Sequence, residues 1–453
     1  MVKRFLSVRV PSGLAHNVAA LYGLYCSGYL LALVTVPYLS RVLGPSSWGE
    51  VAFVQAFGGY LLLIVEFGFT FSATREVARH QEAKDKLSEL VAGVMGAKLL
   101  LVALCLVMAL GVRHFVLPLR QHSALFWAGL FWSLVQGLNM MWFYQGIERM
   151  KAAVTIDLLA KSSAVAAIFF LVRAPADGWK VLGIQGGASL LSLAGSLGLV
   201  YRDLRFRLPR ISLLMGALRG SITTFVPRNA SIMYTVGNAF ILGLFAPPHV
   251  VGYYAGADRI CRAILGLLGP VSDAAYPRIS NLAKRSRPET QRFARLAALV
   301  LVSIGLLMGL FMFAFAPQLV RILLGKGFEP ATVVLRVFAI LPPIVALRNV
   351  LGVHWMLPLD LDRPFNLIVL GAGVLNIGLA VLLAPRHMDV GMAWAATLSQ
   401  LAAAAATYAI LRWMRLDPLS RKPDRAGGDQ KNVREAASSQ EPQLEYLLDH
   451  VVE

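Results

Sequence analysis

From residue 15 to residue 412 the chain alternates between apolar runs about 20 residues long and short polar connections. A helix rises 1.5 Å per residue, so each run matches the roughly 30 Å thickness of membrane hydrocarbon. Twelve runs are present, over residues 15–38, 50–72, 89–110, 123–145, 152–173, 181–201, 219–244, 251–276, 294–316, 331–353, 366–385 and 390–412. Inside lipid, backbone polar groups must be satisfied within a helix or around a closed barrel. Barrel strands alternate apolar and polar residues, and these runs do not. The pattern therefore predicts an all-α polytopic membrane protein with twelve transmembrane helices.

Composition agrees. The chain has 453 residues, 57% of them hydrophobic and 15% charged, against about 25% charged in ordinary soluble domains. A net charge of +18 raises the possibility of nucleic acid, but the basic residues sit between the apolar runs. With the N-terminus in the cytoplasm, 28 Lys and Arg fall on cytoplasmic segments, 8 on external loops and 7 within spans. That bias is the positive-inside rule, and it predicts both termini in the cytoplasm and no nucleic-acid partner. Lys3, Arg4 and Arg9 precede an apolar run too long for a cleaved signal peptide, so this segment is expected to stay as the first span. Cys26, Cys105 and Cys261 all fall in apolar runs, at spacings that suit neither a disulfide framework nor a metal.

No external loop is long enough for a folded catalytic domain. The basic connection 202–218 joins two halves, 1–201 and 219–413, each expected to hold six helices; the polar tail 414–453 is expected to be disordered. Shifting the first half by 203 residues superposes Pro45 on Pro248, Gly49 on Gly252 and Arg75 on Arg278. A parallel six-plus-six repeat around a central cavity follows, with transport by rocking one half against the other.

Charges inside a membrane are costly, so each intramembrane charge is a functional candidate. They are Glu66, Lys98, Asp157, Lys161, Arg228, Asp258, Arg259, Arg262, Asp273, Arg336 and Arg348. The basic excess predicts a cavity for an anion such as a phosphate or pyrophosphate. Asp157 with Lys161, and Asp258 with Arg262, stand one helical turn apart and can neutralise each other. Lys98, Arg228, Arg259 and Arg348 lack such a neighbour and are candidates for the cavity lining, with Lys161 beside them. Ser231, Thr235 and Asn238 share a helix face with Arg228 and extend it as a polar stripe. Span four offers a second stripe of Ser133, Gln136 and Asn139 among Trp127, Phe131, Trp132, Trp142, Phe143 and Tyr144. Amides with aromatic rings suit sugars, but Trp142 to Tyr144 lie near the cytoplasmic end of the span, which favours an interfacial belt with packing.

The sequence has no catalytic triad pattern, nucleotide-binding loop or metal motif. No enzymatic activity, cofactor or metal is expected. Without an ATP site, energy would come from an ion gradient or from the substrate's own gradient, with Glu66, Asp157, Asp258 and Asp273 as candidates for ion coupling.

Several stretches resemble the bacterial polysaccharide flippases: residues 37–50 (PYLSRVLGPSSWGE), 67–80 (FGFTFSATREVARH), 142–151 (WFYQGIERMK), 252–259 (GYYAGADR), 276–280 (YPRIS) and 324–330 (LGKGFEP). That family, the O-antigen and exopolysaccharide translocases, belongs to the multidrug/oligosaccharidyl-lipid/polysaccharide exporter superfamily. The resemblance covers about residues 15–412. It implies two six-helix bundles forming a V, as in multidrug-extrusion transporters. It implies a bacterial inner-membrane protein that moves undecaprenyl-pyrophosphate-linked oligosaccharide to the periplasmic leaflet, in contact with membrane lipid and alongside polysaccharide polymerase or chain-length proteins. It also implies basic cavity residues, a role that passes to Arg228 and Arg259; Arg75 and Arg149 fall at span ends. Two rival readings are an ion-coupled small-molecule or drug exporter, which calls for an acidic first half, and a membrane-embedded glycosyl ligase or polymerase, which calls for a large external loop.

Overall fold

A computed structural model describes residues 12–269, 272, 279, 287–414 and 416, with side chains described at 34–222, 236–269, 272, 279, 289–414 and 416. The described residues are helical apart from short turns. In chain order the helices are α1 (Ser12–Glu66), α2 (Phe69–Arg79), α3 (Lys84–Phe115), α4 (Leu117–Gln121), α5 (Ser123–Gly137), α6 (Met141–Gly146), α7 (Met150–Leu171), α8 (Gly178–Asp203), α9 (Ile211–Phe245), α10 (Pro248–Gly266), α11 (Arg287–Leu323), α12 (Ala331–Phe338), α13 (Leu341–Arg348) and α14 (Asp362–Trp413). A π-helical stretch, Asn349–Met356, follows α13.

Eight stretches among the described residues are long and apolar enough to cross a membrane. Two helices hold more than one expected span. Helix α1 runs on through the predicted first loop and breaks at Gly44, where φ is +67°. That left-handed conformation suits glycine, which lacks a Cβ. Helix α14 takes in the last two predicted spans and breaks at Met388, three residues beyond Pro385.

The outward faces are apolar. Leu99, Leu100, Leu104 and Val107 on α3, Leu306, Leu307 and Leu310 on α11, and Val374, Val381 and Leu382 on α14 are all exposed. Water-soluble proteins rarely expose such continuous apolar surface, whereas lipid covers it. The interior carries the polar residues instead: Lys98, Asp157, Asn238, His354, Asn376 and Gln400 are buried. This distribution belongs to a multi-pass membrane protein.

The two sequence halves meet along α1 and α10. Gly49 faces the Pro248 carbonyl closely enough that an added Cβ would overlap it, and Gly252 faces the Pro45 carbonyl in the same way. The two Pro-x-x-x-Gly turns that the 203-residue shift superposes thus touch each other. Each Pro-x-x-x-Gly turn seats its glycine on the other turn's proline. This end is called the proline end below.

Candidate functional site

A cavity of about 660 Å³ lies between α1, α5, α7 and α8 on one side and α10 with the last residue of α11 on the other. Its polar lining comprises Thr35, Gln55, Gln136, Asp157, Lys161, Gln185, Ser189, Arg259 and Arg262, with Trp132 beside them. Pro37, Leu39 and Leu323 also line it.

Two of its cations are paired along their own helices. On α7, Lys161 Nζ lies 2.7 Å from Asp157 Oδ2, and the Ser192 hydroxyl donates to Asp157 Oδ1 at 3.0 Å. Ala160, Ala164 and Ala188 pack together between α7 and α8, and their small side chains let these helices approach. On α10, Arg262 Nε donates to Asp258 Oδ2 at 2.6 Å. The i,i+4 spacing places each pair on one helix face.

Arg259 is held differently. Its Nη2 donates to Gln55 Oε1 at 2.6 Å, and its guanidinium carbon lies 4.2 Å from the centre of the buried Trp48 ring. Both of these partners are neutral, and the carboxylate of the neighbouring Asp258 is bonded to Arg262. A planar guanidinium can stack on an indole and bond an amide edge-on together; a lysine ammonium cannot. The surrounding polar groups pair off: Gln55 Nε2 donates to Gln185 Oε1 at 3.4 Å, and Ser189 donates to Gln136 Oε1 at 2.7 Å. The cavity therefore offers cationic and neutral hydrogen-bonding groups, with its carboxylate engaged.

Of the residues the sequence singled out, Lys161, Arg259, Gln136 and Asp157 come together here, and Asp258 holds the lining residue Arg262. Others lie elsewhere. The Lys98 ammonium is buried and donates to the carbonyls of Gly137 at 2.8 Å and Asn139 at 3.1 Å, where α5 ends. Asn139 Oδ1 accepts the Met141 amide at 2.6 Å, at the start of α6. Arg348 donates to Gln400 at 2.8 Å, between α13 and α14. Glu66 accepts from Thr70 at 2.6 Å across the turn between α1 and α2. Asn238 is buried on α9. Arg228, Ser231 and Thr235 belong to α9, but their side chains lie outside the described residues, as does Asp273. The tail beyond residue 416 also lies outside them. Trp142, Phe143 and Tyr144 are buried, and the Tyr144 hydroxyl donates to the Ser196 carbonyl at 2.6 Å. Among the described residues no cluster suits a metal ion.

Gln55, Gln185, Ser189 and Trp48 were missed from the sequence. Gln55 and Gln185 carry the legible signal, neutral amides inside apolar runs, but amides cost less in a membrane than charges and stand out less.

Comparison with known proteins places this architecture. The family described as Polysaccharide biosynthesis protein matches residues 14–283, and that described as Lipid II flippase MurJ matches residues 238–418. A protein of Escherichia coli (strain K12) named "Putative O-antigen transporter" is 29% identical over 384 residues, 84% of this chain and 92% of that one. A protein of the same name from Shigella dysenteriae is 28% identical over 348 residues, 75% of this chain and 85% of that one. Among solved structures, lipid II flippase MurJ in an inward closed conformation superposes with a TM-score of 0.71 at 11% identity, covering 88% of this chain and 87% of that one. An inward-facing multidrug resistance transporter of the MATE family gives 0.58 at 16% identity, covering 85% and 94%. At these identities the structures show a shared fold.

Proposed function

The chain belongs to the polysaccharide biosynthesis protein family, and from that premise we propose that it is a flippase for undecaprenyl-pyrophosphate-linked oligosaccharide. It carries O-antigen or exopolysaccharide repeat units from the cytoplasmic to the periplasmic leaflet by alternating access. It is a transporter and catalyses no covalent step. The observation that carries this reading is Arg259, a cavity cation held by the neutral Gln55 and Trp48. A pyrophosphate entering the cavity meets that charge with charge-assisted hydrogen bonds from the guanidinium. Gln136, Gln185 and Ser189 offer hydrogen bonds to sugar hydroxyls, and Trp132 offers a stacking face. The polyprenyl tail stays in lipid between the halves.

The architecture in this proposal is twelve helices in two six-helix bundles, residues 1–201 and 219–413, joined by the linker 202–218 and followed by a cytoplasmic tail, 414–453. The protein sits in the bacterial inner membrane with both termini inside, which makes the proline end periplasmic. Arg228, with Ser231, Thr235 and Asn238, is proposed to extend the cationic lining along α9. Asp157 and Asp258, each bound to a cation, are the proposed coupling carboxylates. Polymerase and chain-length proteins are proposed neighbours. A drug exporter for organic cations calls for a free acidic group in the cavity; here Asp157 is bound to Lys161 and Ser192.

Depletion of the protein tests the proposal. Lipid-linked oligosaccharide is expected to accumulate on the cytoplasmic side of the membrane; no accumulation would overturn it. Arg259→Ala is expected to reproduce the depletion at unchanged protein level.

A further inference from the structure

The proline end closes the cavity with a second device, centred on Arg41. This residue lies on α1 just past Pro37 and Leu39, which line the cavity. Its Nη2 donates to the Ile322 carbonyl at 2.6 Å, and its Nη1 reaches the Pro37 carbonyl at 3.5 Å. Ser40 donates beside it to the Leu323 carbonyl at 3.3 Å. Ile322 and Leu323 are the last two residues of α11. Carbonyls at a helix C-terminus lack helical partners and carry the negative end of the dipole. A guanidinium is suited to that position.

The loop after α11 is shaped around the same side chain. Gly325 has φ of +90°, and a Cβ there would come 2.8 Å from Arg41 Cγ. Gly327 has φ of +86° and faces the Pro45 ring. Helix α1 belongs to the first half and α11 to the second, so these contacts tie the halves together directly beyond the cavity. Leu323 belongs to both places: its side chain lines the cavity and its carbonyl takes the Ser40 hydroxyl. When the halves part at this end, the carbonyls lose the guanidinium, and the guanidinium keeps only the long contact to Pro37 on its own helix, at the cavity mouth. Arg41 is already exposed, so little must move for it to meet an anion.

We propose that Arg41 is a two-state residue of the exit: it latches α1 to the end of α11 in the closed state, and it binds the departing phosphate group when the halves part. The assignment rests on the flippase reading for the identity of the anion, while the latch stands on the contacts alone. A phosphate leaving Arg259 then passes to a second cation instead of to water.

Right-side-out membrane vesicles test both parts. Ala263, a cavity residue on α10, is replaced by Cys as a reporter in a chain whose native cysteines are Ser. Labelling by a membrane-impermeant maleimide then reads opening at the proline end. Arg41→Ala is expected to raise the labelling rate about tenfold, the scale of losing a charge-assisted hydrogen bond. An unchanged rate overturns the latch. Arg41→Lys and Arg41→Gln both lack the forked geometry and are expected to label faster. External inorganic pyrophosphate is expected to slow labelling of the Lys variant at about tenfold lower concentration than the Gln variant. Equal protection, or none in the Lys variant, overturns the phosphate role. Neither readout requires the lipid-linked substrate, so failure here is distinct from a depletion experiment that accumulates no lipid-linked sugar.

Discussion

Gly49 rests on the carbonyl of Pro248, and 203 residues further along, Gly252 rests on the carbonyl of Pro45. The two backbones touch because neither glycine carries a Cβ. A methyl at Gly49 would overlap the Pro248 oxygen and come 2.8 Å from the Gly252 nitrogen. Backbone cannot yield there as a flexible side chain would.

Gly49→Val is therefore expected to disfavour the state closed at the proline end. Overpacking a tight contact costs about 1–3 kcal/mol, and each 1.4 kcal/mol is about tenfold in population. The ratio of closed to open molecules should fall by one to two orders of magnitude. Impermeant-maleimide labelling of a cavity cysteine checks this, with export reduced at normal protein level. Gly252→Val should do the same, since the contact is reciprocal.

Arg259→Lys should fold normally and export about tenfold less, because lysine keeps the charge but cannot both lie over Trp48 and bond Gln55. Trp48→Leu, which removes the ring, should weaken export by the smaller amount of a cation–π contact, about 0.5–2 kcal/mol. Export rates normalised to protein level decide both. An Arg259→Lys variant as active as the parent would remove the stacked geometry from the mechanism.

Asp157 is 3% exposed, and it depends on Lys161 and Ser192. Lys161→Met would leave the carboxylate without its cation, at a cost of about 3 kcal/mol; that is the low end for breaking a buried pair, since Lys161 itself is half-exposed. Adding Asp157→Asn should restore most of the loss. Thermal unfolding of the four proteins in a double-mutant cycle measures the coupling.

How much of this was legible depends on what a residue's sequence neighbours can reveal. The recurrence of the Pro-x-x-x-Gly turn at a constant offset was legible, but the contact between the two turns was not, because it forms only where α1 and α10 cross. Lys161 and Arg259 were legible as charges inside apolar runs, and so were Lys98 and Arg348, which lie apart from the cavity. Burial is readable from a charge inside an apolar run; the direction a helix face points is not. The same limit hid Trp48, the partner of Arg259, because the two are brought together only by the crossing of α1 and α10. The break at Gly44 was read as a loop between two spans, but the helix resumes at once after a single left-handed residue.

Lys98 gives a contrasting expectation. Its ammonium satisfies the carbonyls of Gly137 and Asn139 between α5 and α6. Lys98→Met keeps the volume and leaves those buried acceptors without their donor, which costs about 1–3 kcal/mol. The variant should unfold at lower temperature yet export normally per folded molecule. A loss of export with unchanged thermal stability would place Lys98 in the transport pathway instead.

The proposed linker, residues 202–218, is fastened to α3, and this too can be tested. Arg207 donates to Asp85 and Glu89 near the start of α3, both at 2.6 Å. An added Cβ at Gly96 would lie 2.5 Å from Pro209 Cβ, and one at Gly93 would lie 3.0 Å from the Leu213 carbonyl. The charges are well exposed, so their pairing is worth at most about 1 kcal/mol and is screened by salt. Gly93 and Gly96 are themselves buried, and their close contacts with Leu213 and Pro209 should matter more. Arg207→Ala is therefore expected to change stability slightly, with the difference vanishing at high salt. Gly96→Leu should displace Pro209 at the overpacking cost of about 1–3 kcal/mol. If the linker moves with the first half during transport, Gly96→Leu should also slow export beyond its effect on protein level. Export equal to the parent's, from a Gly96→Leu protein shown by proteolysis to have a loosened linker, would mean that this attachment plays no part in the rocking motion.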